Sequence, residues 1–347
     1  MSPVQLLPPG VGPDDPQWHA VRRQGIGASE IAAAMGLSPW ESPFSLWARK
    51  RGGWDVEPTE EMSTGTRVEP VVADWWADQH RNGPIDVTTA GVYADEQQPW
   101  RIASPDRLIL GPCPRCAGHG VVDSSLGACP ACRGGYFGQP VAVLECKWTA
   151  RWDGWGEPGT DQIPVYYRTQ VLWQCDVMGV DRWHLAVLGP GGFRHYTGVI
   201  DQQARDDLDA MVAAGADMMR RIADDDPPDV DAHPATLAAL KQLHPSVQDR
   251  EVEIPADLAA EWEAARKAER DAKARKDKAA NRLRELLGAA ARGVCDGRKV
   301  VTRSVYEQRH VDLDAMRAEM PDLVDRHTTW TTVDKLIPAP SRKKDTP

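Results

Sequence analysis

No stretch of this chain approaches the run of about 20 apolar residues that a membrane-spanning helix needs, so no helical membrane anchor is expected. The opening MSPVQLLPPGVGPDDPQW has neither a basic segment nor a long apolar one, and no secretory leader is expected. A cytoplasmic chain is the reading. An excess of positive charge is also missing. Lys and Arg number 41 against 51 Asp and Glu, for a formal net charge of −10. That balance excludes a generally basic nucleic-acid coat but leaves room for a local groove beside clustered acids. There is no G-x-x-x-x-G-K-[ST] loop, no H-E-x-x-H and no H-x-H, so neither P-loop nucleotide chemistry nor zincin chemistry is indicated. Internal repeats are absent. Phenylalanine is scarce at three residues, but 14 tryptophans and 41% apolar residues in 347 can fill a sizeable core.

Along the chain, residues 1–17 are rich in Pro and Gly and read as extended. Residues 18–224 read as one α/β core. SEIAAAMG, PFSLWARKRG and GTRVEPVVADWWADQH read as helices, WRIASPDRLIL and PVAVLECKW as strands, PVYYRTQVLWQCDVMG as a helix, and RWHLAVLG with FRHYTGVI as a hairpin. A helix from Asp201 to Asp224 follows, and 225–255 reads as a linker. Residues 256–338 hold a long Ala/Lys/Arg/Glu helix with a thin apolar stripe, then a strand pair and a short helix. The tail 339–347 is expected to be disordered. Most tryptophans, among them Trp18, Trp40, Trp47, Trp75 and Trp76, are expected in the core, with stacking on DNA ends as a minority role for one or two.

The strand QPVAVLECKW breaks its apolar run with Glu145 and Lys147. At a spacing of two they share one face of a strand. Taken alone, E-x-K is most often a solvated charge pair. Upstream, however, ASPDRL supplies Asp106 and GTRVEP supplies Glu69. Metal-assisted phosphodiester hydrolysis needs such acids, plus a cation to orient water or offset developing charge. Asp106 and Glu145 are the candidate Mg²⁺ ligands, with Asp106 bridging two ions and the main-chain carbonyl of Cys146 as a further ligand; Mn²⁺ is an alternative ion. Glu69 would position the second metal, and Lys147 would orient or activate the attacking water.

These motifs together resemble the lambda-type exonucleases, in particular the YqaJ-like viral recombinase branch of the PD-(D/E)xK nucleases, over roughly residues 18–200. The resemblance implies a restriction-endonuclease-like core, with a central mixed sheet flanked by helices. In WHAVRRQGIGASE it implies that Arg22 and Ser29, seven apart, grip a terminal 5′-phosphate. Without it, Arg22 reads as a surface arginine and Ser29 as a helix cap. It implies that Gln170, after the aromatic Tyr166 or Tyr167, lies on a DNA-holding helix, although Gln174 stands where relatives often carry Tyr. It further implies digestion of one strand of duplex DNA from its end, 5′ to 3′, by a ring-shaped trimer. A single-strand annealing partner and a bacteriophage setting, hence a bacterial host's cytoplasm, also follow. The competing readings are an endonuclease on the same core, and a DNA-binding or zinc-mediated interaction protein without turnover.

Between Asp106 and Glu145 the chain is roughly 25 residues longer than a hairpin needs. The excess, residues 112–137, contains Cys113, Cys116, Cys129 and Cys132 as two C-x-x-C knuckles, which resemble half of a DnaJ-type zinc module. This spacing is expected to hold structural Zn²⁺ as a ribbon-like insert, with His119 a bystander. An iron–sulfur cluster is the alternative. Cys146, Cys175 and Cys295 read as buried apolar residues.

Overall fold

The computed structural model describes residues 3–52, 54, 59–80, 86–113, 115–117, 119, 128–129, 132, 137–308 and 310–330. The expected tail, 339–347, lies outside the described residues, as does much of the 112–137 insert. The chain divides into two units, Met1–Pro245 and Ser246–Pro347.

The first unit is mixed α/β, in the order β1 (Val4–Leu7), α1 (Pro16–Arg23), β2 (Ile26–Gly27), α2 (Ile31–Ala34), α3 (Pro43–Gly52), α4 (Glu60–Gln79), β3 (Asp86–Thr89), β4 (Val92–Ala94), β5 (Arg101–Ala103), β6 (Arg107–Pro112), β7 (Phe137–Trp148), α5 (Val165–Met178), β8 (Arg182–Gly189), β9 (Gly192–Val199), α6 (Gln202–Asp224) and α7 (Pro234–Leu243). Five strands form the larger sheet in the order β3-β6-β7-β8-β9, and four form a smaller one, β1-β4-β5-β2. Pairing is antiparallel except for β7 with β8 and β2 with β5. The alternation of β7 sorts its residues onto two faces. Ala142, Leu144 and Cys146 pack with Val72, Ala73 and Trp76 of α4, whereas Val143 joins Leu172, Trp173 and Met211 of α5 and α6. The sheet is therefore sandwiched between helices.

Helix ends follow local chemistry. Thr59 caps α4 by accepting from the Met62 N–H at 3.2 Å, and Glu60 and Glu61 fill the first turn, where acids suit the helix dipole. Asp201 caps α6 in the same way. Gly179 ends α5 in the left-handed region, at φ 68, which a side chain would disfavour.

Four expectations about the first unit need adjusting. WRIASPDRLIL is two strands in different sheets, because Pro105 cannot extend the ladder and the chain breaks at 104–106. Residues 4–7 of the opening segment pair with β4. The expected linker contains α7, which has Thr236 and Ala239 buried and whose Thr236 Oγ1 meets Ser42 Oγ at 2.6 Å. Its Asp- and Pro-rich flanks conceal that short amphipathic stretch. Finally, Trp40 is 63% exposed rather than in the core.

The second unit contains α8 (Ala256–Leu287), the antiparallel pair β10 (Arg292–Cys295) and β11 (Arg298–Thr302), α9 (Leu313–Glu319) and α10 (Pro321–Arg326). None of its described residues is buried. Cys295 is exposed, unlike Cys146 and Cys175, because the hairpin has no core to bury it. Among the described residues, no helix of either unit is long and apolar enough to cross a membrane.

Candidate active site

β6 and β7 run antiparallel with Arg107 opposite Leu144, so Asp106, one residue earlier, comes beside Glu145. The Cys146 N–H donates to Asp106 Oδ2 at 2.7 Å. Glu145 is 2% exposed. Its Oε1 accepts from Lys147 Nζ and, at 2.6 Å, from Gln170 Nε2. Its Oε2 accepts from Gln174 Nε2 at 2.7 Å. A carboxylate this deeply buried requires such donors. Glu69 arrives from α4, on the opposite face of the sheet, and pairs with Arg107 at 2.7 Å.

Electrostatics join these groups into one cluster. Burial, together with the negative charges of Glu145 and Glu69, pushes the Asp106 carboxyl well above the ordinary carboxylate range, against the pull of Lys147 and the Cys146 N–H. Burial disfavours the Lys147 ammonium, but Glu145 and Asp106 outweigh it and hold this group above its usual value. Lys147 is therefore a cation at neutral pH. The Cys146 thiol is pushed up by burial and by the same acids, and is inert. Three hard oxygen donors gathered where their mutual repulsion raises a pKa fit a divalent cation such as magnesium. Glu69 and Glu145 are meanwhile engaged by protein donors. Among the described residues, the only set of three or more ligating side chains whose donor atoms already converge is the four cysteines.

A second cluster surrounds Arg22. Its Nη2 donates to Ser29 Oγ at 2.9 Å and lies 3.4 Å from Glu30 Oε1, and its guanidinium stacks 4.5 Å over Trp18. Sequence reasoning passed over Glu30, which is 4% exposed and also paired with Arg49 at 2.9 Å and Lys50 at 2.8 Å. Burial would raise the Glu30 carboxyl, but Lys50, Arg22 and Arg49 hold it well below the usual range. Glu41 also accepts from Arg49, at 2.8 and 3.1 Å, so three cations face two acids and leave a fixed fork with a net positive charge, suited to phosphate. β2, which ends two residues before Ser29, pairs with β5, which ends three residues before Asp106.

On α5, Tyr167 rather than Tyr166 is the ring beside Lys147, with Nζ 5.6 Å from its centroid. Tyr166 meets Tyr167 edge to face at 4.6 Å and the exposed Trp40 edge to face at 4.7 Å. Gln174, named from sequence only as a departure, is a direct partner of Glu145. Its i, i+4 spacing from Gln170 was the available signal, because it puts both amides on one helix face. On the sheet's other face, His184 Nδ1 lies 3.0 Å from His195 Nε2, and Trp76 stacks on His80 at 3.8 Å. No spacing in the sequence announced that group.

Fold and site together define an α/β protein with an acid–lysine cluster where β6 begins beside β7 and a basic fork next to β2. Residues 17–181 match the family model of the YqaJ-like viral recombinase domain, and this stretch contains every residue of both clusters. The resemblance to the YqaJ-like viral recombinase domain read from the motifs is thus borne out. Uncharacterized protein YqaJ of Bacillus subtilis (strain 168) is 25% identical over 188 residues, covering 53% of this chain; the chain spans 46% of that relative's length. Among solved structures, an alkaline exonuclease from Laribacter hongkongensis aligns with TM-score 0.42 and 16% identity, covering 60% of this chain and 95% of that one. A phage related exonuclease from Haemophilus somnus 129PT gives 0.38 and 9%, covering 58% and 96%.

Proposed function

We propose that this protein is a magnesium-dependent exonuclease that digests one strand of duplex DNA from its end, 5′ to 3′, in phage-type recombination by single-strand annealing. The observation that carries the reading is the meeting of Asp106, Glu145 and Lys147 through the Cys146 N–H and the shared field of their charges. Asp106, Glu145 and Glu69 would hold the metal, with the Cys146 carbonyl as a further ligand. Magnesium, or manganese in its place, would supply Lewis acidity and a more acidic water. Lys147 orients the attacking water and offsets charge developing on the phosphate. Gln170 and Gln174 fix the Glu145 carboxylate. Arg22 and Ser29 receive the terminal 5′-phosphate in a fork held by Glu30. A homotrimeric ring and an annealing partner belong to the same proposal, on family resemblance alone.

The test compares linear duplex carrying 5′-phosphate, linear duplex carrying 5′-hydroxyl, and closed circular duplex, each with Mg²⁺ and with chelator. The reading expects degradation of the linear substrates, fastest with 5′-phosphate, and none with chelator. Efficient cutting of circles would favour an endonuclease. No hydrolysis of any substrate would leave a binding protein.

A further inference from the structure

The nuclease reading leaves the four clustered cysteines unused. Their Sγ atoms all lie within 4.8 Å of one another. Across the two knuckles, Cys113 and Cys129 stand 4.0 Å apart, and Cys116 and Cys132 stand 3.7 Å apart. A disulfide requires about 2.05 Å, and none of the described cysteines forms one. A tetrahedron of ~2.3 Å zinc–thiolate bonds has edges of about 3.8 Å, close to both distances. An iron–sulfur cluster spreads its thiolates over several irons and holds them further apart than ligands on one ion.

Burial at this site has an unusual source. Cys113 is 1% exposed, Cys116 6% and Cys129 0%, yet they form a cluster of their own whose apolar neighbour among the described residues is Cys132. Thiols packed on thiols bury too little aliphatic surface to hold a segment together by the hydrophobic effect. Ala117, directly after Cys116, takes φ 49, the left-handed conformation that a Cβ disfavours and that a constraint on the knuckle would favour. A bond from a metal to the preceding sulfur supplies that constraint. His119 is exposed and outside the set, and its N–H donates to the Cys116 carbonyl at 2.9 Å.

We infer that Cys113, Cys116, Cys129 and Cys132 bind one zinc ion as a closed tetrathiolate centre that ties off the open end of the β6–β7 hairpin. All four positions are filled by protein sulfur, so the ion is structural. It sits one strand away from Asp106, about 20 Å at ~3.3 Å per residue. Soft thiolates select zinc, whereas hard carboxylates suit magnesium. The inference stands whether or not the acids bind a metal.

The test uses the reduced full-length chain. Elemental analysis is expected to return one zinc per chain, and a thiol-specific mercurial is expected to release it to a chromophoric indicator. Exchange for cobalt(II) on the unmutated protein is expected to give intense thiolate-to-metal absorption in the near ultraviolet and visible bands of a tetrahedral ion. Cys113→Ser and Cys129→Ser are each expected to lower zinc affinity at least tenfold, while Cys295→Ser keeps one equivalent. The cobalt spectrum decides the matter even if the cluster variants fail to fold. Four readily reactive thiols with no bound metal would overturn the inference, as would iron in place of zinc, or a full zinc equivalent retained by Cys113→Ser with Cys116→Ser.

Discussion

The backbone N–H of Cys146 donates to Asp106 Oδ2 at 2.7 Å, so the residue between Glu145 and Lys147 aims the acid contributed by the neighbouring strand. Its thiol faces the other way, into the α4 side of the sheet. The middle position of E-x-K thus acts through its amide, and three charged groups are located by a single strand pairing.

Gln174 holds one oxygen of a buried carboxylate. Gln174→Leu leaves Glu145 Oε2 without its donor, at a cost of about 1–3 kcal/mol. Thermal unfolding is expected to show the loss, and nuclease activity is expected to demand more Mg²⁺. Unchanged stability would mean that the Gln174–Glu145 contact contributes nothing.

Arg22 should matter for the end of the DNA rather than for bond cleavage. Arg22→Ala is expected to reduce kcat/KM on 5′-phosphorylated duplex by about 10–100-fold, the equivalent of ~1.5–3 kcal/mol for a charged hydrogen bond. The 5′-hydroxyl substrate should change little. Arg22→Lys should restore only part of the preference, since an ammonium lacks the guanidinium fork. Equal losses on both substrates would place Arg22 elsewhere in the mechanism.

Trp40 presents a 63% exposed ring, set edge to face against Tyr166 and two rings from Lys147. It is expected to stack on a base at the opened DNA end. Trp40→Ala should weaken duplex-end binding by about 1–3 kcal/mol and leave the unfolding temperature close to that of the unmutated protein. Unaltered binding would contradict the assignment.

His184 and His195 make stability depend on acid. Burial, with neighbouring histidine charge, lowers His184 to about 3 and His195 to about 4. Below pH ~6.5 the unfolded chain takes up protons that the folded chain refuses. Stability is therefore expected to fall as pH drops from about 6.5 towards 4, by up to ~1.4 kcal/mol per pH unit for each ring. His184→Asn with His195→Gln should flatten the profile in chemical denaturation. A slope unchanged by the double substitution would assign the acid sensitivity to other groups.

Legibility followed how local each cause was. PFSLWARKRG is α3 to the residue, and ECKW lies on β7 with Glu145 facing the core, because strand alternation and short-range patterning fix such elements. Helix α7 escaped notice because a few small apolar residues among Asp and Pro become a helix only against Ser42 and its neighbours. The Glu30 network, the 80–184–195 histidine group and the exposure of Trp40 depend on packing between distant segments, which no spacing records. Glu145, Asp106 and Lys147 were legible because a motif joined them, whereas Gln174 was obscured by that motif's own preference for tyrosine.

The most direct test of the account is degradation of 5′-phosphorylated linear duplex by the Asp106→Asn variant in Mg²⁺, with its unfolding temperature measured in the same preparation. The account predicts a loss of at least ~10³-fold in rate, as for removal of a group central to transition-state stabilisation. With chelator in place of Mg²⁺, it also predicts an unfolding temperature equal to or above that of the unmutated protein, because the substitution removes an acid whose ionised form burial, Glu145 and Glu69 disfavour. Undiminished digestion by a folded Asp106→Asn chain would contradict it.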